Sequence, residues 1–189
     1  MSQHGLKLAE EKTEAVILKG PRKRENVIFE CGSTEITPKK CVKYLGVTLH
    51  TNGSWGEHLR VVTCTATERA AALGGIMPNI GGPKPERRRA LHGVVQSIVL
   101  YAAPVWSGER TRTDRTSLLR VASAYRTVSA TALWVITGCM SSHILACERT
   151  RLFNRARKTG VTESAKREER ATSIQMWQAE WEATVDVAQ

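Results

Sequence analysis

Aspartate is scarce in this chain: of its 18 acidic residues only Asp114 and Asp186 are aspartates, and they are far apart in sequence. Metal-dependent phosphoryl transfer usually needs carboxylates clustered on a rigid scaffold, holding two cations about 4 Å apart. No glutamate pairs with an aspartate on a candidate strand end, so the chain is expected to have no catalytic residue and no metal site of its own. Aromatic residues make up 5%, which predicts a mainly aliphatic core. No apolar run reaches the roughly 18 residues of a membrane span, and the N-terminus lacks the apolar stretch of a signal peptide. Five cysteines, an odd number with no CxxC, do not suggest a secreted disulfide scaffold. The expectation is an intracellular protein, nuclear or cytoplasmic, without a membrane partner. GxSxG, Walker-type and GxGxxG motifs are all missing, as are internal repeats and low-complexity segments.

What is abundant is positive charge, with 28 basic residues and a net charge of +10 over 189 residues. A basic balance permits nucleic acid, anionic membrane or acidic protein as partner. Its distribution is more selective: residues 84–126 hold nine basic and three acidic residues, a net +6. Within that segment "GGPKPERRRA" sets Lys84, Arg87, Arg88 and Arg89 at the start of a predicted helix, where the macrodipole disfavours cations. A phosphate backbone bound there would explain them; a solvated helix end is the plain alternative.

Hydrophobic spacing divides the chain into a strand-rich beginning and a helical remainder. A polar helix ends near Glu10 to Lys12, and the apolar run Ala15 to Leu18 reads as a strand closed by Gly20-Pro21. "NVIFECGSTEIT" predicts a hairpin about Gly32-Ser33. Val42 to Leu49 alternates as one further strand with Gly46 in its middle, a residue that marks a bulge or a close backbone approach. These strands are expected to form one small antiparallel patch. Beyond Trp55 the period becomes helical. Leu59, Val62, Ala66, Ala70 and Leu73 form a first stripe, and Leu91, Val94, Val95, Ile98 and Ala102 a second. Leu118, Val121, Ala122 and Tyr125 form a third; helices follow over 129–136 and 141–157, and Ile174, Trp177, Trp181 and Val185 line a last one. The fold class is α+β, a short antiparallel β portion followed by a mainly helical bundle.

Cys139, His143 and Cys147 are spaced to share a helix face, but that spacing spans about 12 Å along the axis, too far for one ion, and a fourth ligand is missing. They are read as packing residues, as are the five tryptophans.

Taken in order, "LKLAEEKTEAVIL", "VKYLGVTL", Trp55-x-x-His58, "LGGIMPNIGGPKPERRR", "VVQSIVLYAAPVW", "AYRTVSATALWVITG" and "MWQAEW" resemble the C-terminal half of the reverse transcriptase of arthropod non-LTR (LINE-like) retrotransposons, over roughly residues 5–182. The resemblance implies three parts: residues 1–54 as the last palm strands with a primer-grip hairpin, 55–138 as a helical thumb, and 139–189 as a helical connector. It implies Lys12 as the palm lysine, and Lys43, Tyr44, Leu45, Gly46 and Val47 as the primer grip beside the primer's 3′ end. The partners it implies are an RNA template, a DNA primer duplex, and the upstream palm and fingers of the same polyprotein. Mg2+ would serve the full-length polymerase, with no cofactor for this chain. The family's Tyr-x-Asp-Asp turn is missing, and no aspartate precedes Asp114. The chain therefore reads as a polymerase fragment without the catalytic aspartates; the alternatives are a stand-alone basic helical nucleic-acid-binding protein or a non-functional element remnant.

Overall fold

The computed structural model describes residues 9–18, 27–75, 84–108 and 115–186. Gly20-Pro21, the loop 76–83 and Asp114 lie outside the described residues. The chain forms two compact units, 1–58 and 59–189. The class is α+β, with two small antiparallel hairpins and seven α-helices among the described residues.

The first unit opens on a single 3-10 turn, Glu10–Lys12. Residues 13–18 belong to no strand; Thr13 bonds back to Ala9 and Glu10, and Lys39 joins the rest, its N–H donating to the Ala15 carbonyl, 2.8 Å, and its Nζ lying on Glu14 at 2.5 Å. The expected strand over Ala15 to Leu18 is thus not formed. Alternation supplies apolar side chains, but strand status requires a ladder of partners.

Hairpin β1 (Phe29–Cys31) and β2 (Thr34–Ile36) turns at Gly32-Ser33 as predicted. Gly32 has φ +63°, the sign required at the first central position of a type II′ turn. The Glu10 carboxylate accepts from Ser33 N–H and Oγ, both 3.2 Å, and from Thr34 Oγ1 at 3.3 Å. A Cβ at position 32 would displace that carboxylate, so a larger residue there would both strain the turn and disturb the Glu10 contacts.

The second hairpin joins β3 (Cys41–Tyr44) to β4 (Val47–His50), and it is a separate two-stranded sheet rather than part of one patch. The continuous strand expected over Val42 to Leu49 is corrected here: the chain reverses at Leu45-Gly46. Both residues have positive φ, +47° and +83°, which defines a type I′ turn. Alternation looks the same through a two-residue I′ reversal as along an uninterrupted strand, which is why spacing alone missed the turn.

The second unit is built from α1 (Gly56–Gly74, which starts at the end of the first unit), α2 (Pro85–Val99), α3 (Ala103–Trp106), α4 (Arg115–Ala122), α5 (Ala130–Thr137), α6 (Ser142–Thr159) and α7 (Glu163–Asp186). Helix α2 packs on α4, α4 on α5, α3 on α6 and α6 on α7. Local chemistry sets several ends. Ser129 Oγ accepts from Ala132 N–H at the start of α5, and Gly138 closes that helix in the left-handed region at φ +64°. Ser141 then caps α6 through Ile144 N–H.

The core is mainly aliphatic, around Val95, Val99, Leu100, Leu118, Leu133 and Ile144, with Trp106 fully buried among the large side chains. Three expected stripes shift. On α2 the buried face is Arg88, His92, Val95 and Val99, while Val94 is half exposed. Helix α4 ends at Ala122, leaving Tyr125 outside it and exposed. On α7 Ile174 is half exposed and Ser173 fully buried. On α2 and α7 a polar residue takes the inner position because a neighbouring helix satisfies it. His92 Nδ1 lies 2.8 Å from Ser117 Oγ, and Ser173 Oγ accepts from Arg151 Nη2 at 2.8 Å.

Candidate nucleic-acid interface

The β3–β4 hairpin carries one group of candidates. Tyr44 pairs with Val47 across the turn, and Lys43 with Thr48. Lys43, Tyr44, Leu45 and Gly46 are exposed, whereas Val47 is buried and anchors the tip from below. Tyr44 is 62% and Leu45 73% exposed, an unusual location for two large apolar residues at the end of a hairpin. A left-handed leucine costs about 1 to 2 kcal/mol against an ordinary backbone, and a turn of this type favours asparagine. The tip therefore combines exposed aromatic and aliphatic surface, an adjacent ammonium and a strained backbone, a combination that points to contact with a ligand.

His58, from the first turn of α1, secures this hairpin. Its Nδ1 accepts from the backbone N–H of Thr48 at 3.3 Å, an outward-facing donor of β4. The ring is 1% exposed, and burial lowers its pKa below the ordinary 6.5. Protonating Nδ1 would set two donors against each other. A lowered folded-state pKa means that the unfolded chain binds a proton the folded chain refuses. The stabilisation is complete above pH 6.5 and is lost as the pH falls through the lowered value. Hydrogen exchange at Thr48 N–H is expected to speed up relative to other hairpin amides between pH 7.5 and about 5.5. In the His58→Gln protein that pH-dependent excess should vanish.

Lys12 ends the 3-10 turn and is exposed. Lys84, the N-cap residue of α2, and Arg87 and Arg89 in its first turns are exposed too. Arg88 is different. It is 5% exposed, and its Nη1 donates to the Arg120 carbonyl in the last turn of α4 at 2.9 Å. Arg89 keeps its exposure while Nε donates to the Thr137 carbonyl, the last residue of α5, at 3.0 Å.

The same arrangement recurs where Arg149 Nη1 donates to the Leu100 carbonyl at the end of α2, 2.9 Å; Arg115 Nη2 instead donates to the carbonyls of Arg126 and Val128 in the loop between α4 and α5. The last carbonyls of a helix lack intrahelical partners and carry partial negative charge. Part of the +6 in residues 84–126 is therefore used inside the protein, Arg88 and Arg89 on helix ends and Arg115 on a loop. Spacing gave a signal that composition did not: Arg88 and His92 stand at i and i+4 on the face that continues through Val95 and Val99.

Cys139 lies in the break between α5 and α6, with its N–H on Thr137 Oγ1, so it does not share a helix register with His143 and Cys147. Among the described residues no three His, Cys, Asp or Glu side chains are grouped closely enough to hold a metal ion. No single helix among them is long and apolar enough to cross a membrane.

No protein-family model matches the chain, and no solved structure matches it. Over 141 residues it is 29% identical to a 115 kDa protein in type-1 retrotransposable element R1DM of Drosophila melanogaster. The match covers 69% of this chain and 14% of that protein, so the chain spans about one-seventh of the relative's length. The likeness supports a retrotransposon origin.

Proposed function

We propose that the chain is part of a non-LTR retrotransposon reverse transcriptase, comprising the last palm strands, a primer-grip hairpin, the thumb and a helical connector. The observation that carries this reading is the tight reversal at Leu45-Gly46, which leaves Tyr44 and Leu45 exposed beside Lys43. An exposed hairpin tip of that kind suits the sugar and base of a primer end, and Gly46, without a side chain, lets the backbone of the turn come near. Lys84, Arg87 and Arg89 supply phosphate contacts to an RNA–DNA duplex, recognised by shape and backbone rather than sequence. Arg88 is withdrawn from that set, since its guanidinium holds α4. In this reading Lys12 is the palm lysine.

The residues present do not fit the two-metal centre that the polymerase family uses. Asp114 and Asp186 are the chain's two aspartates, and among the described residues no three His, Cys, Asp or Glu side chains are placed to hold a metal ion. Mg2+ and nucleotide chemistry would belong to other parts of the polyprotein, and this chain's share is to grip and position the duplex.

The test is fluorescence anisotropy with a labelled RNA–DNA hybrid over a salt series. Binding is expected to weaken steeply with salt, and Lys84→Ala with Arg87→Ala to lower the slope of log K against log salt by roughly 1.5 to 2. An unchanged slope would remove the phosphate role.

The tip has a separate test. Leu45→Asn relieves the left-handed leucine and is expected to raise thermal stability by about 1 kcal/mol. The same substitution should weaken hybrid binding, because it deletes an apolar contact. A more stable protein that binds the hybrid as well as before would rule out the primer-grip role.

A further inference from the structure

Helix α6 carries a second surface that the polymerase reading does not use. Its one acidic residue, Glu148, is 7% exposed and accepts from Arg170 of α7 at 3.1 Å. Along the same seam Arg151 donates to Glu169 at 2.6 Å and Arg155 to Glu168 at 2.8 Å. With Arg155 also 3.6 Å from Glu169, four α6–α7 ion pairs engage the acids that these helices turn toward each other. The opposite face of α6 is left without a carboxylate.

Phe153 and Arg157 lie on that opposite face, and Asn154 and Lys158 on the flank between it and the α7 seam; all four are exposed. Phe153 and Arg157 stand at i and i+4, as do Asn154 and Lys158, so the four occupy adjoining positions on one side of the helix. Among the described residues Arg157 and Lys158 have no ion-pair partner. Cations in the last turn suit the helix dipole, which accounts for the charges. It does not account for Phe153, one of only two phenylalanines in the chain and 49% exposed, one turn before the cations.

We propose that this stripe binds single-stranded nucleic acid. Phe153 provides a stacking platform for an unpaired base, Asn154 a hydrogen-bonding amide, and Arg157 and Lys158 the contacts to the adjoining phosphates. Stacking requires an exposed base face, which a paired duplex offers only at its ends, so the aromatic favours a single strand over a hybrid. The seam with α7 holds the helix while its outer face remains open. The inference does not depend on the polymerase reading, whose contacts lie on the hairpin and on α2.

The experiment is anisotropy with two probes, a labelled RNA strand of about 16 nucleotides and a blunt RNA–DNA hybrid. Phe153→Ala is expected to weaken single-strand binding about fivefold or more and leave hybrid binding unchanged, while Phe153→Trp retains it. Arg157→Glu with Lys158→Glu should weaken single-strand binding further and reduce its salt dependence. Circular-dichroism spectra of these proteins should keep the parent's helix content, with melts lowered only modestly, because Phe153 is half exposed and the two cations contribute to the last turn of α6. If Phe153→Ala leaves single-strand binding unchanged, or weakens both probes equally, the stacking site is overturned. A duplex site on α2 would fail in a different protein, the Lys84→Ala, Arg87→Ala variant, so the two readings can be lost separately.

Discussion

Trp106→Ala is expected to destabilise the helical unit by about 3 to 5 kcal/mol, the range for removing a large buried aromatic from a packed core. Trp106 is completely buried at the end of α3, and its Nε1 donates to the Tyr101 carbonyl at 2.8 Å. Helix α3 is only four residues long and packs on α6. It cannot be held by its own hydrogen bonds, because so short a helix gains too little to offset the cost of nucleation. The tryptophan is the side chain that fixes it. Ala102, which precedes α3, lies in the left-handed region at φ +51°, a strain that the buried indole must also support. Thermal unfolding of a chain this size should shift by roughly 10 °C or more. Val105→Ala, at the half-exposed neighbour, should change stability by about 0.5 kcal/mol or less. A Trp106→Ala protein that melts with the parent would show that α3 is not part of the cooperative core.

Arg88→Ala should cost about 2 to 4 kcal/mol, because it leaves the Arg120 carbonyl without its guanidinium partner and opens a gap on the inner face of α2. Arg87→Ala, one residue earlier and exposed, should leave the melting temperature unchanged and weaken hybrid binding. The pair separates two uses of adjacent arginines that composition treats as one run. Urea denaturation and hybrid anisotropy on both proteins make the comparison. If Arg88→Ala unfolds like the parent and binds the hybrid less well, then the arginine serves the ligand and not α4. Arg88→Met, which retains much of the stem, should recover part of the packing loss but not the contact with the carbonyl.

The order and type of most elements were legible in the sequence. Gly32-Ser33 announced a hairpin, Gly138 a helix end, and the change of period after Trp55 the passage from strands to helices. These signals are local: a left-handed backbone suits glycine, and a serine side chain reaches an N–H three residues on, whatever the rest of the chain does. The charge excess and the lack of clustered aspartates were equally plain in the sequence.

Tertiary structure decided the rest. The reversal at Leu45-Gly46 hides inside a continuous alternation, because period-two spacing does not distinguish a strand from two strands joined by a tight turn. The inner face of α2 includes Arg88 and His92 only because Arg120 and Ser117, 32 and 25 residues away, satisfy them. On α7, Ser173 displaces Ile174 from the interior because Arg151, 22 residues earlier, is there to donate to it. Hydrophobicity ranks a side chain by its cost of leaving water alone, whereas a polar group becomes an interior residue once a distant partner removes that cost. The sequence alone could therefore determine where this chain turns and how much positive charge it carries. Which arginines face inward and which face a ligand was settled only when the helices met.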